Sequence, residues 1–338
     1  MVFQAGPADG SPRVSVVIPT LNEARNLPYV FSLVPEDIHE LILVDGHSRD
    51  DSVRIARDLR PDVRVVMQTR RGKGNALACG FKTATGDIIV TIDADGSADP
   101  GEIPLFVKAL TEGADFAKGT RFAGSGASHD ITRLRRFGNG MLSGLVNLLY
   151  GTRYTDLCYG LNAFWTYVVP HLDLNATAAA PDGNGDCLWG DGFEIETLIN
   201  IRAARAGLAI IEVPSVEHAR IHGVSNLNAL TDGLRVVRTI LRERFSRRRP
   251  PMHMSAAAPP PRAEHAAPPP PRAEHKTLER PLRPGSLPAG GGPAREPLRP
   301  GSLPASGSRQ AAAAARELDA TAGLSGHVPA ADANPAEI

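Results

Sequence analysis

The sequence predicts an α/β fold, a mostly parallel central sheet flanked by helices, followed by a tail that builds no core. Three observations predict it. Short apolar runs rich in β-branched residues alternate with amphipathic stretches through the first half of the chain. Turn and capping residues separate them. From Pro250 onward Pro, Ala, Gly, Arg and Glu replace the large apolar side chains, so ordering that segment would not recover its lost entropy. The 338 residues accordingly divide into a flexible N-terminus (1–10), one folded domain (11–249) and a disordered Pro/Ala/Gly-rich tail (250–338).

The elements follow in order. Val14–Ile18 is a β-branched strand stopped by Pro19, and Asn22 to Leu33 carries the first helix. Glu40–Val44 repeats the strand pattern. Asp45-Gly-His-Ser-Arg-Asp-Asp51 then supplies turn and capping residues before a helix over Ser52–Leu59, whose apolar stripe is Val53, Ile55, Ala56 and Leu59. The third unit is a strand over Val63–Met67, a loop Arg71-Gly-Lys-Gly74 and a helix over Asn75–Thr83. Ile88–Ile92 forms the fourth strand and runs into Asp93-Ala-Asp95-Gly96. Farther on, Asp115–Lys118 and Ile210–Val213 read as strands, and Arg133, Arg135 and Arg136 crowd a helix start. Strands and helices alternating in this way pair in parallel through right-handed crossovers, with ligands gathering at the carboxyl ends of the strands.

Pro19 to Glu23, Asp45, Lys73 and the Asp93–Asp95 pair all fall at such ends. Each has an ordinary explanation alone: Asp45 as a capping turn residue, Lys73 as a solvated charge, the acids as an Asp-Gly turn. Their convergence points to chemistry. Alternate residues of an extended chain face one side, so Asp93 and Asp95 offer oxygens to one hard cation, Mg2+ or Mn2+, able to neutralise a nucleotide diphosphate.

Several function classes are disfavoured. The formal charge is zero, which argues against bulk attraction to nucleic acid. Cys79, Cys158 and Cys187 include no C-x-x-C pair, so neither a disulfide framework nor a zinc ribbon is indicated, and a reducing cytoplasm is the simplest setting. The N-terminus lacks the basic and apolar regions of a secretory signal, and no apolar run approaches membrane-spanning length. Where a dinucleotide-binding domain needs G-x-G-x-x-G the chain has Pro19-Thr-Leu-Asn-Glu-Ala, and there is no P-loop. His218 and His222 are four apart, yet they follow a strand exit rather than lie on a helix, which disfavours zinc.

Six segments in this order and spacing, Val17-Ile-Pro-Thr-Leu-Asn-Glu23, Val44-Asp-Gly-His-Ser-Arg-Asp-Asp51, Arg71-Gly-Lys-Gly-Asn-Ala-Leu77, Gly86 to Asp95, Lys118-Gly-Thr-Arg121 and Arg220-Ile-His-Gly-Val-Ser225, resemble family 2 glycosyltransferases of the GT-A fold. Within that family they resemble the polyprenyl-phosphate, dolichol-phosphate-mannose-synthase-like enzymes, over about residues 13 to 240. The resemblance implies nucleotide contacts at Pro19, Leu21, Glu23 and Asp45, with Lys73 added from its place in the crevice, and a divalent metal at Asp93 and Asp95. It further implies acceptor-phosphate contacts at Arg121, Arg135 and Ser225, and a donor-diphosphate contact at Arg220. Ser97, Asn139 and Asn226 depart from residues common in that group.

The resemblance implies inverting, metal-dependent transfer of a hexose from GDP-mannose or a UDP-hexose to polyprenyl phosphate. A phosphate acceptor is already largely ionised and needs arginines more than a base. A hydroxyl acceptor on a saccharide or secondary metabolite is the alternative, and it calls for a carboxylate base. Asp191-Gly-Phe-Glu-Ile-Glu196 offers three acids, with Asp191 or Glu194 in the catalytic role beside Asp95 and Arg121, and Asp156 a weaker candidate. A third reading is a nucleotide-binding interaction protein using its proline-rich tail. Leu234–Arg249, with Leu234, Val237, Leu241 and Phe245 at helical spacing and seven arginines against one glutamate, either packs on its own domain or lies on an anionic bilayer at the inner membrane face.

Overall fold

The computed structural model describes residues 10–175, 187–223 and 229–246; the tail from residue 250 and Ser225 lie outside them. The elements are β1 (Val14–Thr20), α1 (Leu27–Leu33), β2 (Glu40–Asp45), α2 (Ser52–Leu59), β3 (Arg64–Met67), α3 (Lys73–Thr83), β4 (Ile88–Thr91), α4 (Ile103–Thr111), β5 (Phe116–Thr120) and β6 (Ala127–Ser128). They continue as α5 (Arg133–Tyr150), β7 (Asn162–Trp165), α6 (Val169–Leu172), α7 (Ile195–Arg205), β8 (Ile210–Pro214), β9 (Val216–Glu217) and α8 (Ala229–Phe245). A seven-stranded sheet has the order β3-β2-β1-β4-β7-β5-β8. All of its neighbours are parallel except β7, which runs antiparallel to both β4 and β5. A separate parallel pair, β6 and β9, stands beside it.

The period-two alternation of β1 and β2 distributes side chains to two apolar layers. On one face Val16, Ile18, Leu41 and Leu43 pack with Leu27 and Val30 of α1 and Phe106 and Leu110 of α4. On the other, Val17, Ile42 and Val44 meet Leu77 and Phe81 of α3 and Ile195 and Leu198 of α7. Val146 of α5, Ile201 of α7 and Val236 and Ile240 of α8 form a third cluster. The long, nearly continuous apolar strands belong to a sheet buried on both faces.

Strand ends shift by a residue or two, with β1 running through Pro19 to Thr20, and among the first three helices two starts differ from the sequence reading. The first helix begins at Leu27 rather than Asn22, because residues 22–26 form a turn in which Asn22 takes a positive φ of 57°. That turn lets Asn22 Oδ1 accept from the Arg49 amide at 2.7 Å and its own amide donate to Ser48 Oγ at 2.9 Å, tying the β1 and β2 exits together. The third helix begins two residues early, at Lys73, which places the lysine on its first turn.

Candidate active site

β1, β2 and β4 lie side by side, and β1 registers Thr20 with Asp45 of β2 and Val17 with Thr91 of β4, so their exits open on one crevice. Pro19 sits at the end of β1, and Leu21 beyond it is 51% exposed. Asp45 closes β2; its Oδ2 accepts from the Ser48 amide at 2.9 Å, while buried Oδ1 has no hydrogen-bond partner. A buried carboxylate oxygen left unmatched is costly and marks a place where a donor group fits.

Asp93 and Asp95 follow β4 into the same mouth. Lys73 Nζ approaches Asp93 Oδ1 at 2.6 Å and Glu196 Oε1 at 2.9 Å. Arg220 lies 2.7 Å from Asp95 Oδ2 and 3.8 Å from Glu23 Oε1. Asp95 Oδ1 accepts from the Ser97 amide at 2.9 Å, and the Ser97 carbonyl accepts from His218 N at 2.7 Å, which joins the acidic turn to the segment carrying Arg220. Burial works against the Lys73 ammonium, but Asp93 and Glu196 outweigh it and hold its pKa above the ordinary lysine value. Burial, reinforced by the negative charge of Asp95, pushes the Glu23 carboxyl up despite its hydrogen bond from Asn26.

Close packing positions these groups. Gly74 of the Arg-Gly-Lys-Gly segment lies so near the Gly190 carbonyl that any Cβ would collide with it, and its amide donates to Asp191 O at 2.7 Å. Gly160, on the loop before β7, passes directly over the ion pair: a Cβ there would stand 2.8 Å from Asp93 Oδ2 and 3.0 Å from Lys73 Nζ. Sequence reasoning missed Gly160. It also passed over Glu196 in favour of its neighbours Asp191 and Glu194, though the alternation of acids on a helix start was visible.

Of those neighbours Asp191 is fully engaged, whereas Glu194 keeps one buried oxygen, Oε2, without a partner. Asp191 forms a buried bidentate pair with Arg70, at 2.7 and 2.9 Å, and accepts from the Leu188 amide at 2.7 Å. Glu194 stands at the N-cap position of α7, its Oε1 accepting from the Gly190 and Gly192 amides at 3.2 and 3.3 Å.

The Lys118–Arg121 segment lies deeper along β5. The Lys118 ammonium is fully buried and donates to the carbonyls of Gly119 and Tyr159 at 2.9 and 2.7 Å; burial lowers its pKa. Arg121 clasps Asp156 through Nε at 2.7 Å and a terminal nitrogen at 3.0 Å, reaches Glu217 at 2.9 Å, and stacks over Tyr159. Burial alone would lower the Arg121 pKa, but Asp156 and Glu217 more than offset it and raise it. Arg135 occupies the first turn of α5 and is partly buried, Arg136 is exposed with its guanidinium over Phe122, and Thr132 caps the helix.

A cation at the crevice is consistent with its donors. Among the described residues no three His, Cys, Asp or Glu side chains assemble into a ready-made metal cage. Mg2+, however, is commonly held by one or two carboxylates and completed by substrate phosphates and water. Asp93 and Asp95 supply that pair of hard oxygens. Glu23, Asp45, Asp93, Asp95 and Glu196 carry five acidic groups against the two cations Lys73 and Arg220, so a diphosphate without added positive charge would meet a net negative wall.

Residues 15–170 match the model of glycosyl transferase family 2. Polyprenol monophosphomannose synthase of Mycolicibacterium smegmatis is 31% identical over 227 residues, covering 64% of this chain and 81% of the relative. Dolichol-phosphate mannosyltransferase of Pyrococcus furiosus is 29% identical over 228 residues, covering 65% and 60%. An uncharacterized glycosyltransferase of Mycobacterium tuberculosis is 42% identical over 108 residues, 32% of this chain, so the match spans 48%, about half, of that relative's length. Among solved structures, glucosyl-3-phosphoglycerate synthase of Mycobacterium tuberculosis in complex with Mn2+, UDP-glucose and glycerol 3-phosphate superposes with a TM-score of 0.52 at 25% identity, covering 70% of this chain and 81% of the other. The parallel strand exits, the acidic pair after β4 and these relatives converge: the chain has the GT-A fold and belongs to glycosyl transferase family 2.

Proposed function

We propose that the protein moves a hexose from a nucleotide diphosphate sugar, GDP-mannose or a UDP-hexose, to polyprenyl phosphate, with inversion and with Mg2+ or Mn2+. One observation carries the reading: Asp93, Asp95, Lys73 and Arg220 meet in the mouth that also holds the unmatched oxygen of buried Asp45. Asp45 and the Pro19–Glu23 turn receive the nucleoside. Asp93 and Asp95 hold the cation, which supplies positive charge to the leaving diphosphate. Lys73 and Arg220 add positive charge to the same leaving group.

The surroundings of Asp191 support a phosphate acceptor. Asp191 is neutralised by Arg70 and is not poised as a base for a hydroxyl, whereas Glu194 accepts loop amides through Oε1 only and keeps a buried, unmatched Oε2, which makes it the acid a hydroxyl acceptor would use. An ionised phosphate needs cationic donors, and in this reading Arg135 and Ser225 receive it while Arg121 exchanges Glu217 for it. Relatives named for polyprenol and dolichol-phosphate mannosyl transfer lend the acceptor class further support.

A lipid acceptor also accounts for an uncovered surface. α5 exposes Leu134, Phe137, Met141 and Leu148, at 63 to 81%, and α8 exposes Leu234, Leu241 and Phe245 among arginines. No helix among the described residues is long and apolar enough to cross a membrane. Peripheral contact with anionic lipid through these two faces is therefore part of the proposal.

The test is a donor panel of GDP-mannose, UDP-glucose, UDP-galactose and UDP-N-acetylglucosamine, each with and without a short polyprenyl phosphate, read by mass spectrometry. The expected product is a glycosylated lipid phosphate formed only with Mg2+ or Mn2+. Transfer to a soluble saccharide alone would replace the acceptor assignment, and no nucleotide release from any donor would remove the enzymatic reading.

A further inference from the structure

Lys73 and Arg220 are built alike. Each bridges two carboxylates: Lys73 joins Asp93 to Glu196 at 2.6 and 2.9 Å, and Arg220 joins Asp95 to Glu23 at 2.7 and 3.8 Å. In both cases one acid belongs to the Asp93–Asp95 pair and the other comes from a different element, the first turn of α7 or the turn before α1. Glu196 is buried and partly fixed by Asn162 Nδ2, 3.2 Å from its second oxygen. Lys73, by contrast, is a compact charge on a flexible four-carbon stem.

A divalent cation entering this site therefore competes with internal cations already paired to both aspartates. Binding the metal alone would force Lys73 and Arg220 away from their partners while adding positive charge beside them. A diphosphate removes the conflict, because it offers anionic oxygens to both side chains as the metal takes the aspartates.

We propose that Lys73 and Arg220 are exchangeable counterions: a divalent cation takes Asp93 and Asp95 while both side chains pass to the nucleotide diphosphate, with Glu196 and Glu23 holding them through the exchange. The inference rests on the nucleotide-sugar reading above, and it makes Glu196 a positioning residue. Metal and nucleotide then tighten each other reciprocally, as linkage requires.

The experiment measures Mn2+ affinity by electron paramagnetic resonance of the free ion and UDP or GDP affinity by calorimetry, each with and without the other, on the full chain. In the unmodified protein each ligand should tighten the other by about tenfold or more. Lys73→Met and Arg220→Met should each bind Mn2+ alone more tightly, by about fivefold, and nucleotide more weakly, so that the mutual tightening shrinks. Glu196→Gln should move the opposite way, since Lys73 then depends on Asp93 alone: weaker Mn2+ binding without nucleotide and a larger mutual tightening. Arg71→Met removes an exposed charge from the same loop and should leave Mn2+ affinity unchanged. Thermal denaturation reports whether each variant folds, and Arg220→Met carries the test should Lys73→Met not fold.

Normal nucleotide binding with Mn2+ affinity unchanged or weakened in the folded Met variants would overturn the exchange and leave the donor reading standing. Equal tightening in Arg71→Met would overturn it too, because general electrostatics would then suffice. Absence of nucleotide binding with any cation would overturn both.

Discussion

Replacing Asp156 by Ala isolates what holds Arg121 in place. Asp156 is fully buried and accepts from Arg121 at three points, the backbone amide at 3.1 Å, Nε at 2.7 Å and a terminal nitrogen at 3.0 Å, and from the Cys158 amide at 3.3 Å. Its loss leaves a guanidinium that is 8% exposed with Glu217 alone. Breaking a buried pair from one side costs about 3–5 kcal/mol, a large share of a domain stability of about 5–15 kcal/mol. At about 2–4 °C per kcal/mol for a domain of this size, the melting temperature falls by about 6–20 °C. The double variant Arg121→Met/Asp156→Leu should recover part of that, because apolar replacement of a buried pair is often neutral, while the partly exposed Glu217 is left without its cation. Scanning calorimetry checks both variants. A fall of less than about 3 °C in the single variant, or a double variant as unstable as the single, would refute the assignment.

The same pair has a defined pH signature. Burial alone would raise the Asp156 carboxyl, but Arg121 more than offsets it and holds it below the ordinary range. A depressed carboxylate contributes its full stabilisation above its unfolded pKa of about 4, and loses it as pH falls through the lower folded value. The stability gap between the unmodified protein and Asp156→Ala should therefore be constant through neutral pH and narrow below about pH 4.

Three further outcomes follow from the site. Asp95→Ala should remove Mn2+-dependent nucleotide binding in calorimetry while the domain still melts cooperatively; undiminished metal-dependent binding would refute its ligand role. Gly160→Ala drives a methyl group against Asp93 and Lys73, and should weaken nucleotide binding about tenfold or more with little change in melting temperature. Asp191→Asn should lower stability through Arg70 without removing the acidic limb of the pH–rate profile, whereas loss of that limb with unchanged stability would identify it as a base.

Much of this protein was legible because its signals are local. The β-branched runs, the capping turns and the nearly continuous apolar character of β1 and β2 announce a sheet buried on both faces, and helix α2 coincides with its predicted span. The acidic pair is legible for the same reason, since a strand that runs into Asp-x-Asp sets both carboxylates at one end whatever lies around them. β7 carried no comparable cue: Asn162–Trp165 is short, and its antiparallel placement between β4 and β5 is a choice among sheet positions.

Roles within clusters were beyond sequence reach. Asp191, Glu194 and Glu196 look equivalent on one helix start, yet one neutralises Arg70, one accepts amides of the preceding loop and one meets Lys73. Spacing alone cannot distinguish them, because each role is set by a partner more than thirty residues away or by the local course of the chain. Gly160 was invisible for a related reason: its importance lies in the atoms that approach it, not in its own conformation.

The fold class, the crevice at the strand ends and the acids that open it could be read along the chain, since hydrophobic periodicity and turn chemistry act over a few neighbouring residues. Which cation answers which carboxylate emerged from the folded chain alone. Charges pair according to distance and burial, and both are properties of chain segments brought together from far apart.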